Sequence, residues 1–446
     1  MLNQLIGRLT GQHTTHELHN LMKAYTEQRK FCGAVLVAKG NEILLREGHG
    51  LANVEHNILN KPETVFRIGS MTKPFTAILI MQLVEEGKLK LQDRLNQYLP
   101  DYPNGECITV HHLLSNTSGI PDYIVMEGYE KIMKQRVSLP ELFKLFCDEA
   151  LIFEPGSDFG YSNSNWVMLG YIIEQLTNKP YVDVLHERIF KPSGMTHSGV
   201  DWERPIIPHR ATGYIDRGTD LMNAELIDDT TMHGAGAIYS TIDDLYRWDR
   251  ALHSDVLLPQ EVLRQMWMPV SQNDGGQYGY GWEIRRLFDR QVIGHSGGLP
   301  GYVSDIARFV DEDLVVIMLS NLGSTAHGDI MRDLSAIVLD KPYEFPEKRT
   351  FVAVDPAIFS EYVGRYELTY FGRKSILNFS IEGQNMVMKV QGLPKATLNA
   401  MSTTTFFARS KGEVELTFVR DEAGHVNTIE VIWDQHPLKA VRLESK

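Results

Sequence analysis

The sequence predicts an α+β fold, with antiparallel strands and helices in one large domain and a carboxyl-terminal antiparallel β domain, a small barrel, behind it. Three observations predict it. Two short apolar runs near the amino terminus read as a hairpin, and three more strand-like runs follow residue 290. The stretches between them carry helical periodicity. Beyond residue 345 the apolar runs become short and regularly broken by Gly, Asn, Asp or Pro. A length of 446 residues allows two or three domains, and 43% hydrophobic with 23% charged residues is globular in proportion.

In chain order, Leu18, Leu21, Met22 and Tyr25 recur at helical spacing, and residues 32–37 and 43–45 form a β-hairpin around Lys39-Gly40-Asn41. Phe75, Ile78, Leu79, Met81 and Leu83 mark a largely buried helix over residues 73–86, closed by Gly87. Val167, Leu169, Ile172, Ile173 and Leu176 mark another over 164–176, with Ser164 as its N-cap after the turn at 155–158. Residues 290–293, 304–310 and 314–319 read as successive strands. Pro342, Pro346 and a charged cluster place a domain boundary within 341–349, dividing the chain into 1–345 and 346–446. In the tail, residues 375–381, 386–390, 404–408, 414–419, 428–433 and 439–443 read as strands.

A net charge of -13 and the lack of a long Lys/Arg stripe exclude a phosphate-backbone grip, so no nucleic-acid partner is expected. Cys32, Cys107 and Cys147 are odd in number and contain no C-x-x-C pair, which argues against a disulfide framework and a zinc ribbon. Residues 1–30 lack the apolar core of a signal peptide, and no run reaches the ~20 apolar residues of a membrane span. The expectation is a cytoplasmic protein, or a secreted or periplasmic one if a leader has been removed.

Ser70-Met71-Thr72-Lys73 is an S-x-x-K tetrad at the mouth of a helix, and its i, i+3 spacing sets hydroxyl and amine on one face. A serine needs a neighbouring base to become a nucleophile, and a lysine of lowered pKa can be that base. Helix-terminal N–H groups also favour an oxyanion there. Tyr161-Ser162-Asn163 offers a phenol to relay a proton and an amide to hold a carbonyl or the lysine. His295-Ser296-Gly297-Gly298 reads in two ways: a glycine-rich turn between strands, or a strand edge that lets substrate backbone approach and adds an N–H to an oxyanion hole.

In this order the three motifs resemble the S-x-x-K serine hydrolases, the family of class C β-lactamases, low-molecular-mass penicillin-binding proteins, D-aminopeptidases and β-lactamase-like esterases. Ser70 and Lys73 match its first motif, Tyr161 and Asn163 its Y-x-N motif, and His295 and Gly297 its third, K-T-G in classical lactamases and H-x-G in several peptidases and esterases. The runs at 112–119, 153–156 and 236–241 are similar as well, so the resemblance spans residues 20–340. It implies a β-lactamase/transpeptidase-like sandwich, an antiparallel sheet flanked by helices with an all-helical insertion between the first two motifs. It further implies acylation of Ser70, a base role shared by Lys73 and Tyr161, and an oxyanion hole from the backbone N–H groups of Ser70 and Gly298. It implies that Asn163 and His295 are catalytic as well and that Ser296 and Gly297 bind the substrate, with no metal and no cofactor. Tyr362-Val363-Gly364-Arg365-Tyr366 resembles the start of a lipocalin-like domain appended to some such peptidases. The implied partner is a small molecule or peptide: peptidoglycan-derived, a β-lactam or an ester. Because His295 stands where lactamases carry a lysine, a D-amino-acid-containing peptide or a small ester is favoured over a β-lactam. The alternatives are a β-lactamase of weak turnover and a non-catalytic penicillin-recognising or peptidoglycan-sensing protein.

Three rival features remain. Gly294-His295-Ser296-Gly297-Gly298 satisfies G-x-S-x-G, which would make Ser296 the nucleophile, but the glycines and Pro300 oppose the helix that such an elbow requires. His111-His112 invites a metal, yet adjacent histidines point apart on a helix. Asp228-Asp229 and Asp243-Asp244 are better explained by helix capping than by paired acid–base work.

Overall fold

The computed structural model describes residues 2–202, 206–216, 220–273, 276–346, 350–370, 373–390, 395–410, 412–433 and 436–443. Five helices and eight strands frame the larger part: α1 (Leu2–Glu27), β1 (Gly33–Lys39), β2 (Glu42–His49), α2 (Thr72–Glu85), α3 (Asn163–Thr177), α4 (Ile242–Ala251), β3 (Ser271–Asn273), β4 (Gly276–Tyr278), β5 (Glu283–Leu287), β6 (Arg290–Leu299), β7 (Tyr302–Phe309), β8 (Leu314–Ser320) and α5 (His327–Val338). The strands form one antiparallel sheet in the order β3-β4-β5-β6-β7-β8-β1-β2, so the amino-terminal hairpin completes a sheet whose centre comes from residues 290–320.

Strand β1 is buried on both faces, which explains its unbroken apolar run. Ala34, Leu36 and Ala38 join the core that contains Phe75, Ile78, Leu79 and Trp166 from α2 and α3. Val35 and Val37 join the opposite core with Leu18, Leu21 and Tyr25 from α1 and Ile330 and Leu334 from α5. Helices therefore cover both faces, and the expected sandwich is present. The insertion between the first two motifs is made of short helices, Val110–Leu114, Tyr129–Ile132 and Leu139–Phe143, joined by loops.

One local expectation changes and one choice is decided. Helix α3 starts at Asn163 rather than Ser164; Ser162 occupies the N-cap position without a side-chain bond, and the Ser164 hydroxyl donates to the Pro121 carbonyl at 2.7 Å. Of the two readings of 295–298 the strand is found and the turn is not, because β6 continues through it to Leu299. Two capping features fall where expected. Gly87 follows α2 at φ +68°, and Thr241 caps α4 by accepting from the Asp244 N–H.

In the tail, β9 (Gly364–Tyr370), β10 (Arg373–Glu382), β11 (Asn385–Val390), β12 (Ala396–Thr397), β13 (Asn399–Ala400), β14 (Thr405–Ser410), β15 (Gly412–Arg420), β16 (Val426–Trp433) and β17 (His436–Arg442) form a nearly closed, barrel-like antiparallel sheet. Its order is β12-β11-β10-β9-β17-β16-β15-β14-β13. All six expected strands are found, and β9 and the two-residue strands β12 and β13 join them. Rings fill the interior: Tyr362 stacks on Phe418 at 4.2 Å, and Phe379 meets Phe418 edge-on at 5.4 Å. No helix among the described residues is long and apolar enough to cross a membrane.

Candidate active site

Phe66–Arg67 pairs as a short strand with Ile238–Ser240, and a 3₁₀ turn over Gly69–Met71 then leads straight into α2. Gly69 takes a left-handed φ of +52°, which suits glycine, and a Cβ there would stand 3.0 Å from the Gly298 nitrogen. A Cβ on Gly297 would overlap the Ile68 carbonyl and the Ser304 hydroxyl. The third motif is thus pressed by its glycines against the segment carrying Ser70. Ser70 itself is half-buried, and Gly298 is exposed.

One turn beyond Ser70, at the second position of α2, Lys73 is fully buried and its Nζ donates to Ser70 Oγ at 3.0 Å, to Asn163 Oδ1 at 2.8 Å and to the Ala235 carbonyl at 2.9 Å. The same nitrogen lies 4.8 Å from the centre of the Tyr161 ring. Burial holds the Tyr161 phenol well above the usual tyrosine range, opposed by its hydrogen bond with the Ser70 hydroxyl. Four residues from two motifs therefore share one proton network around Ser70.

The third motif approaches without joining that network directly. His295 is buried, with its ring centre 6.3 Å from that of Tyr161. Its Nδ1 lies 2.6 Å from the Ser296 carbonyl, an acceptor only, so the ring proton sits on Nδ1; Nε2 accepts from the Tyr278 hydroxyl at 3.1 Å. Burial pushes the His295 pKa down, with Lys73 adding to the shift and Glu283 opposing it. A neutral imidazole results. The Ser296 hydroxyl donates to Glu283 Oε1 at 3.1 Å, and β6 leads through a tight turn into β7 rather than into a helix. The G-x-S-x-G reading of Ser296 lacks its strand–turn–helix.

Four contributors were not singled out from the sequence. Asp122, on the loop after Gly119, takes hydrogen bonds from the Asn163 side-chain and backbone nitrogens. Ala235 supplies a carbonyl to Lys73, Tyr278 pins His295, and Glu283 holds Ser296. Asp122 follows closely on the family-like run at 112–119, whereas Tyr278 and Glu283 sit on two strands with no motif of their own. The rival clusters have structural partners. His111 Nδ1 meets the Tyr280 hydroxyl at 2.7 Å, His112 closes a capping box with Thr109, Asp229 pairs with Arg67, and Asp243 pairs with Arg46. No cluster of three or more His, Cys, Asp or Glu suited to a metal occurs among the described residues.

A profile of the beta-lactamase family matches residues 18–340. The chain belongs to the beta-lactamase family. A domain of unknown function, DUF3471, matches residues 348–442, the barrel-like part. Among relatives of this beta-lactamase-family chain, a penicillin-binding protein of Bacillus subtilis is 30% identical over 436 residues, covering 92% of this chain and 96% of its own. A D-aminopeptidase of Gluconobacter oxydans is 30% identical over 330 residues, 71% of this chain and 60% of that one. The structure of an octameric penicillin-binding protein homologue from Pyrococcus abyssi superposes with a TM-score of 0.66 at 25% identity, over 95% of this chain and 99% of that chain.

Proposed function

We propose that this chain is a penicillin-binding-protein-like serine hydrolase that acts through an acyl-enzyme on Ser70, on a D-amino-acid-containing peptide or a small ester. The observation that carries the reading is the 3.0 Å contact between Lys73 Nζ and Ser70 Oγ, with Lys73 held from two further sides by Asn163 and Ala235. Ser70 Oγ attacks the substrate carbonyl and passes its proton to the Lys73–Tyr161 pair. The resulting oxyanion is met by the N–H groups of Ser70 and Gly298. The pair then protonates the departing amine or alcohol, leaving an ester on Ser70. Water attacks that ester by the same route in reverse, releasing the acid and restoring the serine. Residues 1–345 form the catalytic domain of this reading, and residues 346–446 a lipocalin-like barrel appended to it.

The substrate class rests on His295. A buried neutral ring clamped between the Ser296 carbonyl and Tyr278 offers no permanent cation for a β-lactam carboxylate. The D-aminopeptidase relative points the same way. The test is covalent labelling by a serine-directed phosphonate together with turnover of p-nitrophenyl esters, D-amino-acid amides and a chromogenic cephalosporin. Ser70→Ala should abolish labelling and turnover, while Ser296→Ala keeps a labelled nucleophile. Labelling that survives loss of Ser70 and vanishes with Ser296 would overturn the assignment. A cephalosporin kcat/KM near the ~10⁸ M⁻¹s⁻¹ diffusional ceiling would identify a β-lactamase, and stable acylation without turnover a sensor.

A further inference from the structure

We propose that Asp122 is a positioning residue for Lys73, acting through the Asn163 amide; the proposal rests on the Ser70–Lys73 mechanism above. An asparagine amide is nearly symmetric in shape, so what faces Lys73, carbonyl or NH₂, is decided by what holds its other side. Asp122 holds it. Asn163 Nδ2 lies 3.1 and 3.3 Å from the two Asp122 oxygens, and the Asn163 backbone N–H donates to the same carboxylate at 3.2 Å. An ionised carboxylate only accepts, so the NH₂ must face it and Oδ1 must face Lys73 Nζ, where it stands at 2.8 Å.

The carboxylate is itself fixed. It is only 8% exposed, accepts from the Ile124 N–H at 3.4 Å, and lies at the amino terminus of α3, whose own N-cap residue Ser162 makes no side-chain bond. A negative charge is favoured there by the helix dipole, and Asp122 serves as the cap from a distant loop. Burial raises its pKa, with the Asn163 hydrogen bond and the charge of Lys73 opposing the shift. Among the described residues, the Tyr161 ring lies beneath Lys73, the proton affinity of His295 is depressed by Lys73, and the charge of Glu283 acts on both of these groups. Asp122 both orients the lysine's partner and balances the lysine's charge.

The test is the pH profile of kcat/KM for a p-nitrophenyl ester with Asp122→Asn, Asn163→Ala and the double variant. In Asp122→Asn the new NH₂ opposes that of Asn163, the Asn163 amide turns over, and its NH₂ faces Lys73. Losing a hydrogen bond to a charged group should lower the plateau about ten- to hundredfold. The protonated lysine loses both an acceptor and a balancing charge, so its pKa falls and the acid limb moves to lower pH. In the Asn163→Ala background the same substitution should add less than about twofold, as expected of residues that act as one unit. A plateau that falls with the limb unmoved, or a full loss added on top of Asn163→Ala, would overturn the proposal. Asp122→Ser keeps a small acceptor for the Ile124 and Asn163 backbone N–H groups and should move the limb the same way, so a poorly folding Asp122→Asn still leaves a decisive variant. Failure of the underlying mechanism reads differently: Lys73→Ala would then retain turnover, whatever Asp122 does.

Discussion

Adding one methyl group at Gly69 perturbs the seam between the nucleophile segment and the third motif. Two costs follow from its geometry. At φ +52° an L-residue is strained by roughly 1–2 kcal/mol, and the new Cβ would sit 3.0 Å from the Gly298 nitrogen, 3.2 Å from its oxygen and 3.3 Å from its carbonyl carbon. Those are backbone atoms of a strand within an eight-stranded sheet, so the seam must open by a few tenths of an ångström. If a 1 Å misplacement costs about a hundredfold in rate, this opening should lower kcat/KM about three- to tenfold. At about 2–4 °C per kcal/mol for a larger domain, Gly69→Ala should melt roughly 2–8 °C below the parent. Ester turnover and a thermal melt measure the two costs separately. Gly69→Asn distinguishes them, because asparagine tolerates the left-handed conformation but still carries a Cβ. It should recover most of the melting temperature while turnover stays reduced. Parental turnover in both variants would refute a functional approach of Gly298 to Ser70.

Further outcomes follow from the same geometry. Lys73→Ala and Tyr161→Phe should each lower kcat by roughly 10²–10⁴ with folding intact, and the double variant should be little worse than either single, which steady-state kinetics and circular dichroism check. His295→Lys should damage ester and amide turnover without raising cephalosporin turnover, because an ammonium cannot accept from Tyr278 and would stand beside Lys73; a gain on cephalosporins would contradict it. Because burial depresses the His295 pKa, the unfolded chain takes up its proton first as pH falls below about 6.5, so folded stability drops there. Urea unfolding between pH 5 and 7 should show a slope up to about 1.4 kcal/mol per pH unit steeper in the parent than in His295→Gln, and parallel curves would refute a buried neutral ring. Tyr278→Phe leaves the imidazole acceptor unpaired and should cost about 1–3 kcal/mol in the same measurement.

The parts of the site that can be read along the chain are those whose chemistry is local. Ser70 and Lys73 are legible because i, i+3 at a helix start is itself a contact, and Tyr161 and Asn163 because the helix that Asn163 opens is strongly periodic. The sheet is legible for a similar reason: β1 and β8 are apolar up to their last residues, Lys39 and Ser320, as strands covered on both faces must be. What the sequence hides are partners supplied from elsewhere. Ser164 carries the residue type of an N-cap, but α3 takes its acceptor from Asp122, 41 positions away. No local pattern announces a cap in trans. Tyr278 and Glu283 look like ordinary strand residues until β4 and β5 are laid beside β6. The run 295–298 looks like a turn because glycines usually make turns, whereas here their missing side chains make room for a neighbouring backbone.

The barrel-like sheet begins and ends on adjacent strands: β9 pairs antiparallel with β17, with Tyr366 opposite Arg442, and the Leu443 N–H donates to the Arg365 carbonyl. The chain therefore arrives and departs at the same rim. A pull between residue 364 and the carboxyl terminus would load this ladder across its hydrogen bonds, opening them one after another instead of shearing them together. Mechanically the tail is closed by a zipper with both tabs at one end, so it should yield at low force although its aromatic interior is densely packed.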